Sequence, residues 1–507
     1  MWPALVASEL SQIATETTRP GAPKRQARWT NIRLGALAGR LMFPGGLTAA
    51  SRHAGAEPMW TGRPRPYDES TLRRRARRLE RSGAVGIVSR VLERQVECAV
   101  KASGAPAVAH TDMYDQVHWS KQLAHAAPIG GLGHRLLGAV YFGLTTVRLT
   151  GDNNDVGPAL SYHVSWHKPA SPLVDALKEL HGDSLRHAWL TTHVRLHVWD
   201  RGGNGVAVLS WAREMQIPYL TVRNGWVYLS SQKTPTLTTP EALPIFVRRD
   251  VRLPISTGRD EPAARVVIFP ARRDKGEECK RGLRYSTNAA LTLDELATLD
   301  ETYKTRWPTM ENQIKGYVAV GFGVNRDRTL ELTTSRGLDG QLARSVEREA
   351  KLMSDIDRAR EQPLNDKRFA TAIAAVAKIG KERGTRQRLS DNRVEKGARA
   401  SGHGELLCKN LILLIHNALA MLLAKSAIAE VRAMTCQRVR ELLLAKPALG
   451  LIEPNCVTLY IEEVADAAQR PLQNELARLL NEFVELRMPD GTRLLLRLTQ
   501  RHGTTRR

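Results

Sequence analysis

Between residues 104 and 224, short runs rich in β-branched and aromatic residues alternate with amphipathic helical stretches. This alternation restricts the chain to an α/β sheet of mixed strand direction. APAVAHTD (105–112) reads as a strand ending in an acid, LGAVYFGLTTVRLT (137–150) as β-rich and SPLVDALKELHG (171–182) as helix. HAWLTTHVRLHVWD (187–200) reads as a second strand ending in an acid, GVAVLSWAREMQ (205–216) as an amphipathic helix and IPYLTVRN (217–224) as another strand. Residues 225–285 break the rhythm. GWVYLSS, LPIFVRRDVRLPI and ARVVIFPARR are short strands parted by Pro, Gly and Thr, a β-rich insertion. Helix resumes over 291–321, and 340–400 reads as charged helix with a break near Gly384. Residues 405–485 read as helical, and 484–500 as a hairpin turning at Pro-Asp-Gly-Thr.

Residues 1–65 are rich in Ala, Gly, Thr, Pro and Arg with weak periodicity, and read as a poorly ordered arm. Residues 66–103 read as a basic helical region, with Leu72, Leu79, Val85, Val88, Val91 and Leu92 as its apolar positions and Ser70 as N-cap. Arg73, Arg74, Arg75, Arg77 and Arg78 cover most of a helix surface there, which suits phosphate contact or a solvated face. Over 507 residues, 75 Lys and Arg stand against 52 Asp and Glu, a formal net charge of +23. Such an excess draws polyanions, nucleic acid first and an anionic membrane second. The length predicts two to four packed units. Cys98, Cys279, Cys408, Cys436 and Cys456 include no C-x-x-C pair, which argues against a zinc ribbon or disulfide framework and for a reducing compartment. The longest apolar run, LLCKNLILLIHNALAMLLAK (406–425), is interrupted by Lys409, Asn410, His416 and Asn417 and reads as a buried core helix. With no basic-then-apolar start at the N-terminus, the expectation is a cytoplasmic protein without a membrane partner.

Three acids stand where chemistry is economical. Asp112 and Asp200 are expected at strand ends, where side chains of an open sheet converge beyond the strands. Neighbouring strands would let the two carboxylates share a divalent cation, although Asp200, followed by Gly202 and Gly203, equally suits a helix cap. Asp115 is an alternative first acid, but strand alternation puts it on the opposite face from Asp112, and Asp112 directly ends the apolar run. The third candidate is Glu311 in YKTRWPTMENQIKG (303–316), with Pro308 in the first helical turn. Glu311 and Lys315 share a helix face, either as a surface ion pair or with Arg306 and Lys315 meeting phosphate while Glu311 faces the aspartates.

The ordered motifs AHTD, VWDRGGNG and YKTRWPTMENQIKG, their acids 88 (112 to 200) and 111 (200 to 311) positions apart, resemble those of the DDE transposases of bacterial insertion sequences. That group has an RNase H-like core, a β insertion before the final glutamate, an Asp-Arg-Gly after the second strand and a Tyr, Arg, Glu, Lys signature on the last helix. The resemblance covers about 104–340. It implies an RNase H-like mixed-sheet core with the insertion near 225–285, a DNA-binding region over 66–103, and a helical part over 341–507. It further implies that Asp112, Asp200 and Glu311 are catalytic and ligate two Mg²⁺, or Mn²⁺ in its place. Arg201, Arg306 and Lys315, with Arg73, Arg74 and Arg77 upstream, would contact DNA. The implied partners are double-stranded DNA (terminal inverted repeats and target) and a second copy in the DNA complex. One departure stands out: four residues separate Arg306 from Glu311 where the commonest signature has three. A divalent-metal nuclease without strand transfer and a catalytically decayed DNA-binding protein are the competing readings. Trp226 and Trp307 suit base stacking or packing. His193 and His197 are expected to pack on one strand face, and GGLGHR (130–135) lacks the Gly-Lys-Ser/Thr of a nucleotide loop.

Overall fold

The computed structural model describes residues 1–18, 20–43, 47, 50, 57, 61, 63–117, 139–150, 156–167, 172–200, 203, 205–223, 227–229, 232, 235–239, 244–254, 260–270, 281–322, 336–360, 366–391, 405–488 and 490–500. The N-terminal part is helical: α1 (Ala7–Glu16), α2 (Lys24–Leu41), α3 (Glu69–Arg81) and α4 (Ala84–Ser103). This departs from the expected poorly ordered arm over 1–65. Leu10 and Ile13 of α1, with Leu34, Leu37 and Leu41 of α2, recur at helical spacing and are buried in the main core. Asp68, not Ser70, is the N-cap residue of α3.

β1 (Ala107–Val117), β2 (Ala139–Thr150) and β3 (Val156–His167) form an antiparallel meander. Helices α5 (Pro172–Leu180) and α6 (Ser184–His193) then lead to β4 (Val194–Trp199), which lies parallel to β1. α7 (Val206–Glu214) returns the chain to β5 (Tyr219–Val222), parallel to β4. Two expectations change here. β1 runs on to Val117, so Asp112 lies within the strand rather than at its end. The first half of 187–200 is helix, not strand: Asp183 accepts from the Arg186 amide at 2.9 Å to cap α6, and Leu190 is buried beneath it. His193 therefore ends a helix and does not share a strand face with His197.

The expected insertion comprises β6 (Val227–Tyr228), β7 (Leu237–Thr238), β8 (Pro244–Pro254), β9 (Asp260–Pro270) and β10 (Arg281–Thr287). β10 pairs antiparallel with β5, so the insertion continues the same sheet, in the order β3-β2-β1-β4-β5-β10-β9-β8-β7. A short helix (Leu293–Ala297) with a Thr292–Glu295 capping box precedes α8 (Leu299–Lys304). A π-helical turn (Trp307–Glu311) then opens α9 (Asn312–Ala319). Pro308 lies at the start of that turn, in the first helical turn as expected, although the turn is π rather than α. α10 (Arg336–Arg360) and α11 (Asp366–Asp391) form the charged region, and α11 runs unbroken through Gly384, against the expected break.

α12 (Glu405–Leu423) is long and apolar enough to cross a bilayer, but Leu407, Leu411, Ile412, Leu414 and Ile415 are buried in the main core, and it packs against α2, α3 and β3. Its Asn417 side chain accepts from the Ser161 amide and donates to the Ser161 carbonyl, each at 2.8 Å. One carboxamide thus occupies the hydrogen-bonding groups of edge strand β3 where its register to β2 is shifted. Downstream, the expected all-helical stretch is interrupted by β11 (Ala448–Glu453) and β12 (Cys456–Glu462) before α13 (Arg470–Glu482) and β13 (Arg493–Thr499). The expected C-terminal hairpin forms as a short one, with an antiparallel bridge between Arg487 and Arg493 flanked by Met488 N to Thr492 O and Leu494 N to Leu486 O, each 2.8 Å, while β13 also pairs parallel with β12.

Candidate active site

The register of the parallel β1–β4 pair sets the first two acids. It matches Thr111 to Trp199, so Asp112 and Asp200 follow side by side at the end of that pairing. Asp112 remains inside β1, held by antiparallel pairing opposite Leu144 of β2, and its Oδ1 accepts from the Met113 amide at 2.8 Å. Asp115, the alternative first acid, is three residues further along β1, and its side chain lies outside the described residues.

Asp200 follows the last residue of β4. Its side chain does not cap α7, whose N-cap is Gly205 without a side-chain bond. Its backbone carbonyl instead accepts from Gly203 N at 2.8 Å and Thr221 Oγ1 at 3.0 Å. Gly203 is dictated by packing: a Cβ there would collide with the buried Trp199 indole, whose Nε1 donates to the Gly203 carbonyl at 3.1 Å. The tight turn therefore rests on the indole, which leaves the Asp200 carboxylate free to face α8, where the Tyr303 hydroxyl donates to its Oδ1 at 3.4 Å.

Glu311 arrives on the π turn. The Asn312 amide bonds to the Trp307 carbonyl five residues back, so this turn holds one residue more than an α turn. That wider turn absorbs the extra residue in the Arg306–Glu311 spacing and brings the two side chains together, with Arg306 Nη2 donating to Glu311 Oε1 at 3.0 Å. The turn is pinned to the sheet by Arg148 of β2, which donates to Thr309 Oγ1 at 3.3 Å. α9 is clamped below it: Gln313 donates to the Ala159 carbonyl at 2.7 Å, and the Tyr317 hydroxyl lies 2.7 Å from Ser161 Oγ.

Arg306 is the centre of the site. Its guanidinium, 12% exposed, donates from Nη1 to Asp112 Oδ2 at 2.5 Å, while Nη2 also lies 3.7 Å from Asp200 Oδ1. Burial pulls its pKa down, but Asp112 and Asp200 more than offset this and leave it above the ordinary arginine value. Burial pushes the Asp112 carboxyl up to about 6 despite the pull of Arg306, with Asp200 and Glu311 adding to the rise. Burial, with the Asp200 charge beside it, also holds the Tyr303 hydroxyl up at about 12 and so protonated.

The expected site residues divide. Asp112, Asp200, Glu311 and Arg306 converge; Lys315 does not, its Nζ lying 5.3 Å over the Trp307 ring instead of pairing with Glu311. Trp307 is 54% exposed and so is not a packing residue. On α3, Arg73 is tied to Glu69, Arg77 is half-buried and Arg74 is exposed. Arg201, Trp226 and 130–135 lie outside the described residues. Arg148 was not anticipated, although an arginine within the apolar alternation of TTVRLT was its signal.

Three carboxylates offer only oxygen donors, the set that hard Mg²⁺ or Mn²⁺ prefers, and against one guanidinium they leave a formal −2. The donor chemistry therefore fits a divalent cation. Among the described residues, no group of three or more His, Cys, Asp or Glu is arranged around a metal-sized point, and the cation among these three acids is Arg306. A scan against models of known protein families finds no match for the chain, and a search of curated proteins finds none either.

Proposed function

We propose that the chain is a DDE-type DNA transposase that cleaves and joins phosphodiester bonds at the ends of an insertion sequence. One observation carries this reading: acids from three separate elements, 88 and 111 positions apart, meet around a single guanidinium. We read the sheet as an RNase H-like core, supported by the order β3-β2-β1-β4-β5, with β2 antiparallel to its neighbours and β1, β4 and β5 parallel. The strands from β6 to β10, between Asp200 and Glu311, are the expected insertion, and the +23 charge suits a DNA partner.

Asp112, Asp200 and Glu311 would hold the divalent cations. Bound there, Mg²⁺ or Mn²⁺ would lower the pKa of the attacking group and stabilise the leaving oxygen. The protein's own contribution is placement. β1 and β4 align two carboxylates, Tyr303 orients Asp200, and the Arg148–Thr309 bond holds the turn that carries Glu311. The test is cleavage and joining of cognate element ends in Mn²⁺. Asp200→Asn and Glu311→Gln proteins should lose both steps while still binding the ends. Retention of cleavage and joining would refute the reading. Cleavage without joined products, when a 3′-OH donor end is supplied, would mark a nuclease.

A further inference from the structure

We propose that Arg306 is a positioning residue that serves as a resident counter-ion: it gathers Asp112, Asp200 and Glu311 while no divalent cation is bound, and it must leave them when one binds. This rests on the metal-dependent reading above and adds to it an arginine that competes with the metal. The geometry points to competition because all three acids reach the same two nitrogens. Asp112 Oδ2 lies 2.5 Å from Nη1, while Glu311 Oε1 and Asp200 Oδ1 lie 3.0 and 3.7 Å from Nη2. A cation ligated by these oxygens would need the volume that the guanidinium fills, since metal–oxygen distances are only about 2.0–2.2 Å.

Charge favours the exchange. One guanidinium answers one of three carboxylates and leaves the formal −2, whereas a divalent ion removes twice as much charge. Without Arg306, three acids packed this closely would repel one another, and Asp112 is already partly desolvated beside the other two. The residue is also well placed to move. It immediately precedes the π turn, its neighbour Trp307 is exposed, and the Tyr303 hydroxyl can keep its own contact with Asp200 when the guanidinium departs. A displaced Arg306 becomes a free, fully charged fork beside the acids, available to a phosphate oxygen.

The experiment is Mn²⁺ titration of the full-length, DNA-free protein, read by the loss of the free-ion EPR signal. Wild-type protein is compared with Arg306→Gln, Arg306→Lys and Asp200→Asn. Arg306→Gln should bind Mn²⁺ at least roughly tenfold more tightly than wild type, with Arg306→Lys in between and Asp200→Asn much weaker. A merely structural arginine predicts the reverse, since a disordered triad binds metal less well. Acid-dependent binding in wild type with no gain in Arg306→Gln would overturn the counter-ion role and leave the transposase reading standing. No Asp200-dependent binding in any protein would overturn both. Should Arg306→Gln fail to fold, the wild-type Arg306 Nε–H resonance, assigned by its absence from Arg306→Lys, decides the matter. Saturating Mg²⁺ should shift it and speed its solvent exchange, and an unmoved, protected resonance refutes displacement.

Discussion

Acid should destabilise this protein already between pH 7 and pH 5, because several histidines are held uncharged by burial, three of them with ring nitrogens that lack a partner among the described residues. His110, His197 and His181 are 0%, 1% and 4% exposed. Among the described residues, neither ring nitrogen of His110 or His197 has a hydrogen-bond partner, and neither does Nε2 of His181. Burial, the largest cause in each case, lowers their pKa to about 3, 3 and 2. The unfolded chain takes up a proton on each near pH 6.5 and the folded chain does not. Their stabilisation is therefore intact above pH 6.5 and is lost progressively as pH falls toward 3. Between pH 7 and pH 5 each forfeits about 2 kcal/mol. Asp112 acts in the opposite sense: with its folded pKa raised to about 6, the native state gains a proton over the same interval and recovers about 1 kcal/mol. These four groups together forfeit about 4–5 kcal/mol, already a large part of a stability of about 5–15 kcal/mol, and His167 and His416, lowered by burial to about 4 and about 3, add to the loss in the same direction. The assay is urea unfolding followed by tryptophan fluorescence from pH 8 to pH 5. His197→Phe replaces a ring with no polar partner by an apolar one. It should match or exceed wild type at pH 7 and gain about 2 kcal/mol on it by pH 5. A His197→Phe protein with the wild-type dependence on pH would refute the reasoning.

Three further outcomes follow from the geometry. Gly203→Ala should cost about 1–3 kcal/mol in thermal unfolding, because its Cβ collides with Trp199, and should weaken Mn²⁺ binding through the displaced Asp200 turn. Asn417→Leu removes two hydrogen bonds from edge strand β3 and should cost about 2–3 kcal/mol, with hydrogen exchange accelerated at the Ser161 amide. Arg74→Ala should lower the salt dependence of DNA binding by about one counter-ion, whereas Arg73→Ala, whose guanidinium is already tied to Glu69, should leave it nearly unchanged.

The strands that carry Asp112 and precede Asp200 are legible because their apolar runs are short, β-branched and followed by acids. Asp200 is the clearest case, since a strand followed by Gly202 and Gly203 has few other readings. Its choice between cap and ligand needed three dimensions: only the position of Gly205 at the start of α7 removes the cap. HAWLTTHV misled because Trp189, Thr191 and His193 also alternate, and the Asp183 cap with Leu190 burial decides for helix. The arm failed for another reason. Weak periodicity in α2 is rescued by contacts with α12, nearly 400 positions away, and α1 in turn packs on α2 and α4, which no local pattern carries. Arg306 was picked out as a phosphate ligand, yet its partners lie on three different elements, and the one-residue departure in spacing gave no hint that a π turn would restore the approach to Glu311.

The continuation of β1 past Asp112 gives the three acids unequal stiffness. Asp112 lies within β1, paired to Leu144 of β2 one residue beyond the β4 pairing, and its side chain is 18% exposed, whereas Glu311 on its turn is 26% exposed and Asp200, just past the end of β4, is 48% exposed. The site is thus a vice with one fixed jaw. Any tightening around a smaller, more highly charged ion falls to Asp200 and Glu311, which swing toward an aspartate that the sheet does not release.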